Sequence, residues 1–265
     1  VILFTSGTEG APKGVALTGA NLVANARQIM AHGADFLGPA DVWVNPLPMF
    51  HSFGLTAGTL LPILNGMKTV LYPTPLHYKQ IPKLIRSSGA TLLVAIDTFA
   101  QGYARAAEPG DLERLRYIVA GAERVKEATR VLLGKTRTVV LEGYGATECS
   151  PVIACNLPND NRAGTVGPPL PGIETRLEPV EGITEGGRLL IRGPNVMAGY
   201  ILPDHPGVLV PPAEGWHDTG DIVTLDDGFI QIRGRAKRFA KIGGEMVSLA
   251  AVEAVASTVW PDSSH

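Results

Sequence analysis

The sequence has few cysteines and no long hydrophobic run. Two of its 265 residues are cysteines, Cys149 and Cys155, which excludes a disulfide framework, and their spacing to each other and to histidines fits no metal site. We expect both to be reduced, partly buried thiols. No apolar stretch reaches the roughly 18 residues that a membrane-spanning helix requires. These absences predict a cytoplasmic or peripheral protein.

A strong charge of one sign is also absent. The chain has 23 Lys and Arg against 25 Asp and Glu, a formal net charge of -2, and no long basic or acidic block. A nucleic-acid partner is therefore not expected, whereas a small charged metabolite is compatible with this balance. With 45% apolar residues, the chain can build a substantial core in one large domain or two smaller ones.

Both ends of the sequence suggest a segment of a longer polypeptide. The chain begins with the apolar, β-prone residues 1–4 and lacks an initiator methionine. Residues 248–259 have the pattern of a first helix, and nothing that could pack against it follows. We therefore expect the chain to be truncated at both ends.

Up to about residue 144, short β-branched or leucine-rich runs alternate with amphipathic stretches. This alternation predicts an α/β fold with a mainly parallel sheet. Candidate strands cover residues 1–4, 42–45, 69–72, 91–96, 117–120 and 139–141. A helix is predicted over residues 18–31, where apolar residues recur with a helical period and Thr18 is available as the N-cap. A glycine-rich opening loop is thus expected between a strand and a helix.

From about residue 162, short strands alternate with glycine and proline. Candidate strands cover residues 174–177, 188–192, 221–225 and 229–234, with a turn at Asp227-Gly228. A polar, cationic stretch follows at residues 234–238. We predict three parts: an α/β part over residues 1–161, a small antiparallel β subdomain over 162–234, and a hinge with the start of a further domain over 235–265.

The stretch FTSGTEGAPKG, residues 4–14, has the composition of an anion-binding loop. Its glycines, its hydroxyl residues Thr5, Ser6 and Thr8, and Lys13 can direct several donors and one positive charge toward the oxygens of a triphosphate. The Walker pattern does not fit, because Gly14 follows Lys13 where that pattern requires Ser or Thr. A solvated turn is the structural alternative.

Three further stretches carry chemically useful residues. LEGYGATECSP, residues 141–151, places Tyr144, Thr147 and Glu148 on a glycine-containing turn after a strand. These could supply a flat ring for a base, a phosphate donor and a carboxylate for Mg²⁺, or form an ordinary strand-end turn. GWHDTGDI, residues 215–222, carries two acids, and GRAKRFAKIGGEMVSL, residues 234–249, carries four cations and a double glycine.

These four motifs, in this order, resemble the series of the adenylate-forming superfamily. That superfamily contains acyl-CoA synthetases, firefly luciferase and nonribosomal-peptide adenylation domains. PLPMFHSFGLT, LYPTPLHYKQIPKL, YIVAGAERV and GRAKRFAKIGGEMVSL are similar to the acyl-acyl-carrier-protein synthetase half of bacterial bifunctional 2-acylglycerophosphoethanolamine acyltransferases. The resemblance implies activation of a fatty acid with ATP and Mg²⁺, followed by transfer to the phosphopantetheine thiol of acyl carrier protein or coenzyme A. It also allows membrane association of a longer parent chain, at the cytoplasmic face of the bacterial inner membrane.

The resemblance assigns the nucleotide site residue by residue. It implies contacts to the β- and γ-phosphates from Thr5, Ser6, Gly7, Thr8 and Lys13. It places the adenine side of the nucleotide against Gly121, Ala122, Glu123, Tyr144 and Gly145. It assigns the ribose hydroxyls to Asp221 and Arg235. Tyr144 could instead be a core residue, and Glu9, unusual beside a triphosphate, is expected to face solvent.

The resemblance also assigns catalytic and mobile positions. Glu148 would bind Mg²⁺, Thr147 would contact the α-phosphate, and His51 would either gate the acyl pocket or cap a turn. Lys237 would be the hinge of a lid domain, and Gly243 and Gly244 would line the pantetheine channel. His217 and Asp218 are expected to be structural. His32, His77, His205 and His265 are expected at the surface.

The family's catalytic lysine lies in a lid segment that this sequence does not reach. The resemblance therefore predicts poor adenylation by this polypeptide alone. Three alternatives stay open: an acyl-CoA ligase of the same superfamily, a non-catalytic nucleotide-binding fragment, and a carrier-binding module. A kinase or P-loop ATPase is not favoured, because neither signature set is present.

Overall fold

A computed structural model describes residues 1–5, 12–242 and 245–259. In these ranges the strands are, in chain order, β1 Ile2–Thr5, β2 Lys13–Ala16, β3 Val42–Asn45, β4 Lys68–Leu71, β5 Leu92–Ala95, β6 Tyr117–Ala120, β7 Val139–Gly145, β8 Val152–Cys155, β9 Glu174–Glu178, β10 Gly187–Arg192, β11 Gly199–Ile201, β12 Leu209–Val210, β13 His217–Asp226, β14 Phe229–Arg235, β15 Phe239–Ile242 and β16 Glu245–Ser248. The α-helices are α1 Gly19–His32, α2 Leu61–Leu64, α3 Gln80–Ser88, α4 Asp97–Ala106, α5 Glu127–Leu133 and α6 Leu249–Val259. A π-helical segment, Phe53–Leu60, runs directly into α2.

The central sheet has the strand order β4-β3-β5-β6-β7-β8. Its first five strands are parallel, and β8 runs antiparallel to β7. All four residues of β5 are buried, as expected for an inner parallel strand covered on both faces. The predicted α/β architecture with a mainly parallel sheet is confirmed, and the strands predicted at Val42–Asn45 and Tyr117–Ala120 have the observed bounds.

The period-two alternation of the strands divides the core between the two faces of this sheet. Val44 and Leu93 belong to a cluster that includes residues of α3 and α4, such as Ile85. Trp43 and Leu92 belong to the opposite cluster, with residues of α1 and α2. No helix in the described ranges is long and apolar enough to cross a bilayer.

Two antiparallel sheets complete the chain up to Arg235. One has the order β1-β2-β11-β12, and the other has the order β14-β13-β10-β9. One prediction about the first sheet is wrong. The glycine-rich loop does not lead from a strand into a helix. It connects two antiparallel strands, with Thr5 opposite Lys13. The short strand β2 was not predicted, because its second partner, β11, is far away in sequence and leaves no local signal.

Helix α1 begins at a capping box. The Thr18 hydroxyl accepts the backbone N–H of Asn21 at 3.0 Å, and the Asn21 side chain accepts the backbone N–H of Thr18 at 2.9 Å. The Asn21 amide also donates to the carbonyls of Pro194 and Val196, just before β11. The helix predicted from Thr18 is confirmed, and its cap ties it to the sheet that holds β1 and β2.

The last described part follows a tight hairpin between β13 and β14. Asp227 and Gly228 adopt positive φ angles of 50° and 79° in the turn, which confirms the predicted Asp-Gly turn. After β14, the 3₁₀ turn Ala236–Arg238 leads into the β15–β16 hairpin and α6. Lys237, the predicted hinge, lies in that turn. The three-part domain division and the hinge role stay predictions.

Candidate active site

A cavity of about 480 Å³ opens at the carboxyl ends of the central strands. Ligands of open α/β sheets bind at this edge, because the loops that follow neighbouring parallel strands converge there. The cavity, called the main cavity below, is lined by six of the predicted site residues: His51, Gly121, Ala122, Tyr144, Gly145 and Thr147. The fold thus brings together stretches that are far apart in the sequence.

The backbone that leaves β6 forms one wall of the main cavity. Ala122 has a positive φ of 65°, a conformation that costs energy for a residue with a Cβ and that clusters at functional sites. A Cβ added at Gly121 would lie 3.3 Å from the Phe53 ring, so glycine lets this backbone approach the π-helical segment closely. The Glu123 carboxylate turns away and accepts the backbone N–H and the hydroxyl of Thr98 at 3.1 and 2.9 Å. This wall therefore presents main chain to the main cavity.

Tyr144, Asp221 and Arg235 form one polar cluster beside the main cavity. The Tyr144 hydroxyl donates to Asp221, and the Arg235 Nε donates to the other Asp221 oxygen at 2.9 Å. Asp221 is 5% exposed. Burial raises its pKa, while the Tyr144 hydrogen bond and the Arg235 charge act in the opposite direction. A buried carboxylate with oriented donors can receive a diol, since each of its oxygens can accept further hydrogen bonds.

Thr147 and Glu148 lie on a 3₁₀ turn, Thr147–Cys149, at the end of β7. The Tyr200 hydroxyl donates to Glu148 Oε1 at 2.7 Å. Burial, with a further contribution from Glu148, raises the pKa of Tyr200, so the hydroxyl keeps its proton. The Lys13 ammonium lies 5.4 Å from the centre of the Tyr200 ring. Strand β2 therefore brings the lysine of the opening loop close to the turn that carries Glu148.

The oxygen groups of Thr147 and Glu148 suit a metal ion that binds together with a phosphate ligand. No group of three or more His, Cys, Asp or Glu among the described residues is placed to hold a metal. Glu148 offers a single hard carboxylate next to the hydroxyl of Thr147. Mg²⁺ in nucleotide sites is commonly held by one or two carboxylates together with substrate phosphates and water. The residues present fit that arrangement.

Asn45 fixes the opposite wall of the main cavity. Its amide donates to the Gly54 carbonyl at 3.0 Å and to the Thr59 hydroxyl at 3.1 Å, and its oxygen accepts the Leu47 N–H at 2.9 Å. These bonds anchor the π-helical segment whose first residue, Phe53, lines the cavity. His51 is exposed on the rim, with its ring 4.7 Å from that of Phe50.

Removal of the Asn45 side chain is expected to destabilise the fold. Asn45→Ala would leave the buried Leu47 N–H without its partner and would empty the space between β3 and the π-helical segment, at a cost of about 2 kcal/mol. Chemical denaturation measures this loss. Asn65→Ala is the control, because the Asn65 side chain makes one hydrogen bond, at 2.7 Å, to the carbonyl of Leu61, the first residue of α2. Equal losses in the two variants would contradict a special role for Asn45.

An apolar recess of about 60 Å³ adjoins the main cavity. This inner recess shares Phe53, Val119, Val152 and Cys155 with the main cavity and extends between the central sheet and α1. Burial raises the pKa of Cys155 to about 12, so the thiol contributes a neutral surface. Both cysteines are free, as predicted. The main cavity thus has polar groups in its lining, and the inner recess beside it is apolar.

His32 was predicted at the surface, and that prediction is wrong. Its Nε2–H donates to the Cys155 carbonyl at 2.8 Å, and the ring borders the inner recess. Asn25, two turns earlier on α1, likewise donates to the Val152 carbonyl at 2.8 Å. A polar stripe of α1 thus binds the main chain of β8. The sequence pattern showed the apolar face of this helix and gave no sign of that contact.

Acidification is expected to destabilise the fold through His32. Burial lowers the pKa of His32 from its ordinary value of 6.5, so the unfolded chain takes up a proton at a higher pH than the folded protein. The free energy of unfolding therefore decreases as the pH falls below that value. His32→Gln should reduce the drop in melting temperature between about pH 7.5 and 5. Some pH dependence should persist, because burial also lowers the pKa of His217.

The matched control for this pH effect is His205→Gln, which replaces an exposed histidine. It should leave the dependence of the melting temperature on pH unchanged. A His32→Gln variant with the same pH dependence as the unmodified protein would show that His32 makes no contribution to it.

The structure brings several of the predicted site residues together. Tyr144 and Arg235 both contact Asp221. Tyr200 contacts Glu148, the neighbour of Thr147, and also Lys13. Thr5 lies at the end of β1, opposite Lys13. Five predicted residues lie outside the described ranges: Ser6, Gly7, Thr8, Gly243 and Gly244. The sequence reasoning missed Tyr200, Asn45 and Ser52, whose hydroxyl lies 3.5 Å from that of Thr147.

Comparison with known proteins identifies the family of the chain. The sequence profile of a family described as AMP-binding enzyme matches residues 1–201. The chain belongs to the AMP-binding enzyme family. The superfamily resemblance predicted from the motifs is thereby confirmed. Membership also accounts for the clustering of the predicted nucleotide-site residues around one cavity.

Relatives of this AMP-binding enzyme include fatty-acid ligases. A long-chain-fatty-acid–CoA ligase of Yersinia pestis is 35% identical over 256 residues, which cover 91% of this chain and 44% of the relative. A medium-chain fatty-acid–CoA ligase of Escherichia coli (strain K12) is 32% identical over 263 residues, covering 95% and 46%. The chain spans about half the length of the curated relatives that it matches.

Solved structures share the fold of this AMP-binding enzyme. The o-succinylbenzoate coenzyme A synthetase of Bacillus subtilis in complex with AMP superimposes with a TM-score of 0.83 at 27% identity, covering 97% of this chain and 53% of that one. ATP-bound MatB of Rhodopseudomonas palustris gives a TM-score of 0.82 at 29% identity, covering 97% and 52%. Both were solved with an adenine nucleotide bound.

Proposed function

We propose that this chain forms the nucleotide and acyl-adenylate site of an ATP-dependent acid–thiol ligase that activates a fatty acid. The observation that carries the proposal is the position of two polar clusters beside one cavity that continues into an apolar recess. Tyr144 and Thr147 line this cavity, Tyr144 binds Asp221, and Thr147 precedes Glu148 on one turn. Asp221 and Arg235 belong to one cluster. Glu148 and Tyr200 belong to the other, with Lys13 beside them. An acyl adenylate has the same succession of diol, phosphate and apolar chain.

The nucleotide would lie along the carboxyl ends of β6 and β7. Its adenine would pack against the Gly121–Ala122 backbone and the Tyr144 ring, and its ribose hydroxyls would bind Asp221 and Arg235. Its phosphates would face Thr147, Lys13 and the loop that follows Thr5. This orientation is supported by Gly121, Ala122, Tyr144 and Thr147, which line the main cavity. It is also supported by the hydrogen bond from the Tyr144 hydroxyl to Asp221.

The reaction develops negative charge, and the chain offers fixed groups to balance it. A fatty-acid carboxylate would attack the α-phosphorus of ATP, and pyrophosphate would leave. A thiol would then lose its proton and attack the acyl carbonyl of the adenylate, and AMP would leave as the thioester forms. The Thr147 hydroxyl would donate to the α-phosphate, and the Lys13 ammonium would balance charge on the leaving group. Glu148 would hold Mg²⁺, which would supply Lewis-acid stabilisation of the phosphate charge.

The inner recess supports a fatty acid as the acyl substrate. Its lining from α1, β3 and β5 includes Ile29, Trp43, Leu92 and Val94. Burial of each methylene in such surroundings contributes about 0.8 kcal/mol. The exposed His51 on the rim would contact the carboxylate on entry. Two relatives, a long-chain and a medium-chain fatty-acid–CoA ligase, have names that agree with this substrate class.

Coenzyme A is the thiol acceptor that the relatives favour, since those named above are CoA ligases. Acyl carrier protein is the second candidate, and it is supported by the motif resemblance. In either case the acceptor is a phosphopantetheine thiol. Membrane association of a longer parent chain rests on the same resemblance as the carrier protein.

A two-stage assay tests the proposal. Fatty-acid-dependent ATP–pyrophosphate exchange is measured on the protein and on any longer polypeptide that its reading frame encodes. Acyl transfer to coenzyme A and to holo-acyl carrier protein is measured next. Exchange that requires both Mg²⁺ and a fatty acid, with a thioester formed on one acceptor, is the expected result. Binding of ATP without exchange by either polypeptide, whatever fatty acid is supplied, would instead favour a non-catalytic nucleotide-binding module.

A further inference from the structure

Strand pairing places Tyr200 beside the loop that is expected to bind phosphates. β11 pairs antiparallel with β2, with Tyr200 opposite Val15. Lys13 is two residues from Val15 on the same strand, so its side chain leaves the same face of the sheet as that of Tyr200. The Lys13 ammonium lies 5.4 Å from the Tyr200 ring centre, within the range of a cation–π contact.

The hydroxyl of the same tyrosine reaches the turn after β7. It lies 2.7 Å from Glu148 Oε1, and it must donate in this contact because a carboxylate can only accept. Among the contacts of the described residues, Tyr200 is the one hydrogen-bond donor to the Glu148 side chain. Oε2 of Glu148 accepts no hydrogen bond from the part of the chain that the structure describes.

The segment before β11 fixes the main chain of that turn as well. The Met197 N–H donates to the Glu148 carbonyl at 2.8 Å, and the Asn195 side chain donates to the Cys149 carbonyl at 2.8 Å. These two bonds fix the backbone of the turn, but they do not fix the side-chain rotamer of Glu148. A glutamate side chain loses considerable conformational freedom when it is held in one geometry, so a partner that holds it in advance aids ligand binding.

We propose that Tyr200 is a positioning residue for the phosphate end of the site. Its hydroxyl holds one oxygen of Glu148 so that the other can bind nucleotide-borne Mg²⁺, and its ring holds the Lys13 ammonium on the same side. The inference rests on the proposed function. It adds a residue that lies outside the four sequence motifs and that couples the opening loop to the metal carboxylate.

The test is the Mg²⁺ dependence of ATP binding by Tyr200→Phe. Isothermal titration with ATP is performed in Mg²⁺ and in EDTA. Loss of a hydrogen bond to a metal ligand typically weakens metal affinity 10- to 100-fold, so the gain in ATP affinity from Mg²⁺ should fall about 10-fold. Affinity without Mg²⁺ and the melting temperature should stay close to those of the unmodified protein, because phenylalanine keeps the ring.

Tyr72→Phe is the matched control. Its hydroxyl also hydrogen-bonds a side chain, His77 Nδ1 at 2.9 Å, but away from the main cavity. This variant should bind ATP as the unmodified protein does in both buffers. A second variant, Tyr200→Leu, removes the ring too and should also weaken ATP binding without Mg²⁺, since Lys13 loses its support.

A double-mutant cycle separates positioning from packing. In a Glu148→Gln background, Tyr200→Phe should have little further effect on the Mg²⁺-dependent gain. An unchanged gain in Tyr200→Phe would overturn the inference and leave the proposed function intact. Equal loss of affinity with and without Mg²⁺ would also overturn it, in favour of a packing role. Absence of Mg²⁺-dependent ATP binding in the unmodified protein would overturn the inference and the proposed function together.

Discussion

The Glu148→Gln variant is expected to lose fatty-acid-dependent ATP–pyrophosphate exchange by a factor on the order of 10²–10³, because a Lewis acid at the phosphates stabilises the transition state by several kcal/mol. Glutamine keeps the size of the side chain and can still accept from Tyr200, so the turn Thr147–Cys149 should keep its structure. The variant should therefore melt close to the unmodified protein while losing activity. Initial exchange rates at saturating ATP and Mg²⁺ measure the effect.

Glu174→Gln is the control for loss of a carboxylate. Glu174 pairs with Arg192 on the surface of the small sheet, and both side chains are exposed. An exposed ion pair contributes little to stability, and Glu174 does not line the main cavity, so exchange should be unaffected. Full exchange activity in Glu148→Gln would rule out Glu148 as the metal carboxylate of the reaction.

The Asp221→Asn variant is expected to lower ATP affinity about 10- to 100-fold, because hydrogen bonds to a charged acceptor are worth about 1.5–3 kcal/mol. The loss of affinity should depend on the ribose hydroxyls of the nucleotide. ATP and its 2′,3′-dideoxy analogue should bind the variant with similar affinity, whereas the unmodified protein should prefer ATP. Isothermal titration with both nucleotides measures the preference.

Asp218→Asn is the control on the same strand. Its carboxylate lies 3.4 Å from Arg188 in an exposed pair, three residues before Asp221. This variant should keep the preference for ATP. If Asp221→Asn also kept that preference, the ribose would have to bind elsewhere, and the orientation proposed for the nucleotide would be wrong.

The helix and the parallel strands could be predicted from local patterns. Thr18 ends a strand-like stretch and caps a helix with a clear apolar period, and α1 begins there. The runs at Val42–Asn45 and Tyr117–Ala120 are short, apolar and β-branched, which suits inner strands of a parallel sheet. In these cases the residues that set the structure are neighbours in sequence.

Pairings between distant segments could not be predicted in the same way. β2 and β11 are short strands, and each is stabilised by partners that local sequence does not reveal. The opening loop was consequently placed before a helix, although it connects two antiparallel strands. His32 was placed at the surface for a similar reason, because its partner is a main-chain carbonyl of β8.

In the candidate site, too, some features could be predicted from local sequence and others could not. Tyr144, Thr147, Glu148 and Asp221 stand in motifs whose residue types suggest their chemistry. Tyr200 has no such motif around it, and its contact with Glu148 becomes visible once β11 is paired with β2. Candidate ligand-binding residues could thus be proposed from their residue types, whereas the positioning role proposed for Tyr200 required the fold.

Isothermal titration of the protein with a nonhydrolysable fatty-acyl adenylate analogue tests the central claim most directly. If one cavity binds both the nucleotide and the acyl chain, the analogue should bind more tightly than AMP, and the difference should grow with chain length until the recess is filled. Each buried methylene should add about 0.8 kcal/mol. Asp221→Asn should weaken binding of both ligands. Equal affinity for AMP and the analogue, or no binding of either by a folded sample, would contradict the account.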